Sequence, residues 1–176
     1  ALKLFKKVFV LNPDNELIAV CIANALTLMK EREQAYSYYE KALSMTDDKY
    51  RIYICYAISL TEFKEFDMAE EMFKRAIEFD SKKSNAYVLL ANLYSNSDRI
   101  KEAIDLYRKA LQVEPNNPET YTLLGNAHFL DNDIEQAISS YRASISLAPD
   151  NDEYRLIYSQ VMEDYVSSVR GVGNDA

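Results

Sequence analysis

Tryptophan is absent from this chain, and glycine, proline, cysteine and histidine are scarce, at three, four, two and one among 176 residues. Each shortage closes off a class of protein. One histidine and two unpaired cysteines cannot furnish the ligands of a zinc site, so no metal and no cofactor is expected. With so few glycines there is no phosphate-cradling loop, and no HExxH motif occurs. Basic residues are also in deficit, 20 against 28 acidic, which leaves a net charge of −8 and a pI near 4.8. Nucleic acid and anionic membrane surfaces both reward a basic face, so neither is an expected partner. No apolar run reaches transmembrane length and no signal-peptide pattern opens the chain, so no direct membrane insertion is expected. Two free thiols point to a reducing, cytoplasmic compartment.

What the chain does contain is a repeat. Residues 84–117, SNAYVLLANLYSNSDRIKEAIDLYRKALQVEPNN, carry Tyr87, Leu90, Ala91 and Tyr94 at helical spacing. SNSD interrupts, and Ile100, Ala103, Ile104, Tyr107, Ala110 and Leu111 resume the period until Pro115 stops it. This is a helical hairpin with one apolar side, which neither helix can bury alone and which therefore needs stacked neighbours. A shift of 34 residues supplies them without a gap. Ala23, Ala57, Ala91 and Gly125 are equivalent in the first helices, Ala35, Ala69, Ala103 and Ala137 in the second, and Tyr39, Phe73, Tyr107 and Tyr141 follow in the second helices. The small residues mark close helix approach, and the large rings are core filling rather than an aromatic ligand box.

The organisation expected from this register is a single domain over 1–170: a half repeat at 1–15, repeats at 16–49, 50–83, 84–117 and 118–151, and a terminal helix at 152–170. Residues 171–176, beginning at Gly171, read as a flexible tail. The opening half repeat and the first residue, Ala1 rather than Met, suggest a fragment of a longer protein. Asp47, Asp48 and Ser84 are candidate helix caps, Asn117 precedes Pro118 at a helix start, and Asp150 with Glu153 has capping-box spacing.

The pattern of aromatic, Leu-Gly or Leu-Ala, aromatic, then Ala, aromatic, Ala and Pro resembles the tetratricopeptide repeat (TPR). Ala19 where an aromatic is usual, and the missing closing proline in the first two copies, are departures in single turns. The resemblance implies an all-α fold, a right-handed superhelical solenoid of antiparallel helix pairs, whose concave surface is lined by the first helices. The ligand-facing places it implies hold Leu17, Val20, Cys21, Asn24, Thr27 and Leu28 in the first copy. Arg51, Ile54, Cys55, Ile58, Thr61 and Glu62 follow in the second. From these and the later copies the expected partner-binding residues are Val20, Asn24, Arg51, Ile54, Asn85, Val88, Leu89, Asn92, Leu123 and Asn126. They describe an apolar floor interrupted by amides able to donate to and accept from a peptide backbone. Family members that clamp a chaperone's C-terminal carboxylate carry Lys at the fifth place of a copy, whereas Val20, Ile54, Val88 and Thr122 stand there, so that docking mode is not expected.

The reactive residues read as structural. His128 stands where Tyr94 stands one copy earlier, so it is expected to be packed and hydrogen-bonded. Cys21 and Cys55 are repeat equivalents about 10 Å apart by helix-packing distances, beyond disulfide reach. No titratable groups converge, so no catalytic residue and no enzyme activity is expected. The reading that follows is a scaffold or adaptor that holds a peptide segment of a partner protein and helps assemble a complex. A substrate-selecting region of a larger enzyme, such as a glycosyltransferase that carries these repeats, is the alternative. Homo-oligomerisation through apolar ends, at Phe5 and Phe9 and at Tyr154, Val161 and Tyr165, is a third.

Overall fold

The computed structural model describes residues 2–172, so Ala1 and residues 173–176 of the expected tail lie outside the described residues. Among the described residues there are ten α-helices and no strand. They are α1 (Leu2–Leu11), α2 (Glu16–Leu28), α3 (Arg32–Met45), α4 (Tyr50–Glu62) and α5 (Phe66–Phe79). Then come α6 (Ser84–Ser95), α7 (Ile100–Val113), α8 (Pro118–Leu130), α9 (Ile134–Leu147) and α10 (Asp152–Val172). The starts of α2, α4, α6 and α8, and those of α3, α5, α7 and α9, are each 34 residues apart, so the period sets helix starts to the residue. α10 runs on through Gly171 to Val172 instead of ending before the glycine.

The chain divides into two compact units, at Leu93 within α6. In the first unit α2 packs antiparallel on α3 and α4 on α5. Ala23, Ala35, Ala57 and Ala69 have no exposed surface, which is the close approach that the small residues predict. Tyr39 fills the space beside them and stacks on Tyr56, with ring centroids 4.8 Å apart and 15° between planes. Tyr36 joins through Tyr56 at 5.4 Å and Phe63 at 5.7 Å. In the second unit α8 packs on α9, and Gly125 lies against Tyr141: a Cβ there would stand 2.7 Å from Cε1 of that ring. The missing methyl group is what lets α8 sit so close to α9.

The turn inside each hairpin is the same device four times. Lys30, Lys64, Asp98 and Asn132 have φ of 61°, 62°, 60° and 61°, the left-handed region that glycine usually fills. The N–H of the following residue donates back to the helix, Glu31 to Leu26, Glu65 to Leu60, Arg99 to Tyr94 and Asp133 to His128, each at 2.9 Å. These are Schellman closures, and they satisfy carbonyls that the helix end would leave open. The scarcity of glycine therefore means that lysine, aspartate and asparagine carry the strain.

Helix starts are less uniform. Asn117 accepts from the Thr120 N–H at 2.9 Å with Pro118 at the first helical position, as its sequence indicates. Asn15 and Asp133 cap α2 and α9 in the same way. At two helix starts, those of α4 and α10, the expected caps differ. α4 starts after Lys49, which makes no side-chain cap bond, and Asp48 instead donates its N–H to Thr46 Oγ1, so neither Asp47 nor Asp48 caps it. Ser84 is the first residue of α6. At α10 the acceptor is Asn151, which takes the Glu153 N–H at 2.9 Å, one residue beyond Asp150. An aspartate run is ambiguous in sequence because any of its members can turn back on the backbone.

Candidate functional site

The first helices supply the face on which ligand-facing residues were expected, and their side chains fall into three groups. Val20 and Ile54 are each only 7% exposed, because the neighbouring helices cover them, and they contribute floor rather than contact. Val88, Leu89, Asn92, Leu123 and Asn126 are half-buried. Asn24, Arg51 and Asn85 are exposed.

The amides are not free groups. Tyr39 donates its hydroxyl to Asn24 Oδ1 at 2.6 Å in the first unit, and Tyr141 donates to Asn126 Oδ1 at 2.7 Å in the second. Each brace joins residues 15 apart, from a first helix to the second helix of its own hairpin. It engages the amide oxygen, so these asparagines present chiefly N–H donors, where donors and acceptors alike were expected. The second repeat has Ile58 and Phe73 at the same two places, an apolar pair in place of a hydrogen-bonded one. Burial pushes the Tyr39 hydroxyl up to about 12, with the nearby Thr27 and Ser59 hydroxyls opposing, and burial alone pushes Tyr141 up to about 12.

Between α2 and α4 the first unit holds a cavity of about 370 Å³. Its floor is Tyr39 with two buried hydroxyls, Thr27 and Ser59, whose oxygens are 2.6 Å apart. Thr27 also donates to the Ala23 carbonyl at 3.0 Å. Its walls are Leu28, Ile58 and Cys55, with Asn24 on one side and Glu62 at the rim. Leu28 is 85% and Ile58 44% exposed, unusually open for such side chains. Of the ten expected contact residues only Asn24 lines this cavity; Thr27, Leu28, Cys55, Ile58 and Glu62 occupy ligand-facing places of the register outside that narrower set. Burial raises the Cys55 thiol, with Arg51 working against it, so the wall there is neutral. Cys21, its repeat equivalent, is exposed, and both are free thiols.

His128 is packed, at 3% exposure. It is less well satisfied than expected: Nδ1 has no hydrogen-bond partner and stands 3.7 Å from Asp133 Oδ2, while Nε2 is 3.5 Å from Arg108 Nη2. Burial first and Arg108 second push its pKa down, with Asp133 and Asp131 opposing. Arg108 is donor only, so Nε2 is the acceptor and the proton of the neutral ring sits on Nδ1.

Of the residues expected at the ends, Phe5 and Phe9 are half-buried, and Phe9 packs edge-on to Tyr38 at 5.7 Å. The open side of α1 is instead Leu4, Val10 and Leu11, 64%, 79% and 85% exposed. Tyr154, Val161 and Tyr165 on α10 are half-buried. Among the described residues no cluster of three or more His, Cys, Asp or Glu could hold a metal ion, and no helix is long and apolar enough to cross a membrane.

Comparison with known families agrees with the register. The profile described as "Tetratricopeptide repeat" matches residues 22–49 and 118–151, the second span coinciding with the fourth repeat, and the one described as "TPR repeat" matches 96–131. Tetratricopeptide-repeat matches thus cover residues 22–49 and 96–151. Solved TPR structures share its fold. MamA is similar with a TM-score of 0.73 and 18% identity, over 87% of this chain and 90% of that one. MamA from Desulfovibrio magneticus RS-1 gives 0.72 and 16%, over 86% and 85%. YrrB, described as "a TPR protein with an unusual peptide-binding site", gives 0.70 and 16%, over 90% and 81%. At such identities the likeness concerns the fold alone. No curated protein sequence matches it significantly.

Proposed function

We propose that this TPR protein is a non-catalytic scaffold that binds an extended peptide segment of a partner along its first-helix face. The observation that carries the reading is the cavity between α2 and α4, where Leu28 and Ile58 stay open to solvent beside the Asn24 amide. Apolar side chains in a cleft with a few oriented polar groups are what peptide recognition requires. Val88, Leu89, Asn85 and Asn92 on α6 extend the face within the first unit, and Leu123 and Asn126 provide the equivalent surface on α8 in the second. A peptide-binding site in YrrB supports the reading by analogy. Affinity capture with the intact chain, against the Ile58→Arg variant, tests it. A partner retained by the wild type and lost from the variant supports the groove, and capture indifferent to Ile58→Arg sinks it.

Self-association is a second reading, favoured by the exposure of Leu4, Val10 and Leu11 along α1. Light scattering should then show a mass that rises with concentration and returns to the monomer in Leu11→Glu. A monomer at every concentration removes it.

A further inference from the structure

Resting on the peptide-binding reading, we propose that the cavity between α2 and α4 accepts a cationic side chain, lysine or arginine, of the bound peptide. The aliphatic stem lies against Leu28 and Ile58, and the charged end meets the Glu62 carboxylate.

The donors and acceptors of the cavity select the charge. Thr27 spends its proton on the Ala23 carbonyl at 3.0 Å, and the 2.6 Å contact with Ser59 Oγ then takes the serine proton. Tyr39 spends its own on Asn24. The floor thus offers an entering anion no hydroxyl donor, and although the Asn24 amide still presents N–H groups, the rim confronts an anion with the Glu62 carboxylate. A purely aliphatic guest would fill the walls but would strip water from Glu62 without replacing the lost hydrogen bonds. A cation on a long apolar stem satisfies both surfaces, since such side chains lay their methylenes on apolar walls and keep the charged head at the edge. The chain's net charge of −8 favours the same guest in the encounter.

The structure also contains a cation at that carboxylate. Lys30, from the turn after α2, places Nζ 3.4 Å from Glu62 Oε2 and 5.8 Å over the Phe63 ring. Both side chains of the pair are well exposed, 63% and 59%, so the contact is weak and exchangeable. Lys30 therefore acts as an internal competitor for the peptide's cation, and removing it opens the carboxylate.

The test uses the intact chain and an array of end-blocked nonapeptides whose central residue is Lys, Arg, norleucine or Glu over randomised flanks. Norleucine keeps the stem of lysine and lacks its charge. Lys- and Arg-centred peptides should be retained about fivefold better than norleucine-centred ones, the scale of one partly exposed ion pair. Glu62→Gln should erase that preference, and Lys30→Met should widen it. Equal retention of lysine and norleucine, or a preference that survives Glu62→Gln, overturns the inference. In that case loss of all retained peptides on Ile58→Arg leaves the groove itself standing. Retention unaffected by Ile58→Arg, or no retention of any peptide, brings down both. Melting curves verify that each variant is folded, and all three substituted side chains are solvent-exposed in the wild type.

Discussion

The hydroxyl of Tyr39 is worth more than its packing, because it ties the second helix of a hairpin to the first through Asn24. Tyr39→Phe keeps the stack on Tyr56 and leaves the amide oxygen to water, so a loss of about 1 kcal/mol is expected in denaturant melts. The folded-state pKa of Tyr39, about 12, lies above the usual 10.0. A phenol raised in this way stabilises below its unfolded value and loses that stability as pH rises through its folded one. Stability should therefore fall above about pH 10, and a tyrosinate signal from the folded protein near pH 10 that is present in the wild type and missing in Tyr39→Phe would contradict the burial of this ring. His128 sets the opposite limit. Its folded pKa is depressed from 6.5, by burial and Arg108, so its contribution is present above about pH 6.5 and is lost as pH falls. His128→Leu, the residue found at the equivalent positions 26 and 60, removes the unpartnered Nδ1. It should raise the melting temperature and flatten the acid limb between pH 7 and 5; an unchanged pH profile would show that the imidazole is not what titrates.

At the scale of the element, the left-handed residue in each hairpin turn is the point most open to improvement. Lys64→Gly should stabilise by about 0.5–1 kcal/mol, since the relief of left-handed strain exceeds the entropy that glycine adds to the unfolded chain. Asn132→Gly should gain less, because asparagine tolerates that conformation, and equal gains from the two would argue against strain as the cause. Helix boundaries were legible because the 34-residue period is printed in alanines and rings, and helix starts follow it without drift. The cavity was only partly legible. Whether Val20 or Ile58 faces solvent depends on how closely the next helix lies, which a register cannot state; one is covered and the other open. The braces leave a signal in the sequence: where the second helix has Tyr the first has Asn, and where it has Phe73 the first has Ile58. The two places vary together because a buried tyrosine hydroxyl without a partner would be costly.

For the whole molecule, the relevant fact is that stability in a repeat protein is assembled from local hairpins and their neighbours. Gly125→Leu should overpack the Tyr141 ring and cost about 1–3 kcal/mol. Hydrogen exchange should register that loss first in residues 94–172, the unit that contains both residues, and uniform loss across the chain would instead mean one cooperative transition. The braces have a last consequence, an optical one. With no tryptophan to collect excitation energy, the protein's fluorescence is emitted by its tyrosines, and the braced rings of Tyr39 and Tyr141 lie in different units. Difference spectra of Tyr39→Phe and Tyr141→Phe therefore isolate one lamp apiece, and the order in which the two change on heating reports which half of the protein melts first, without any attached dye.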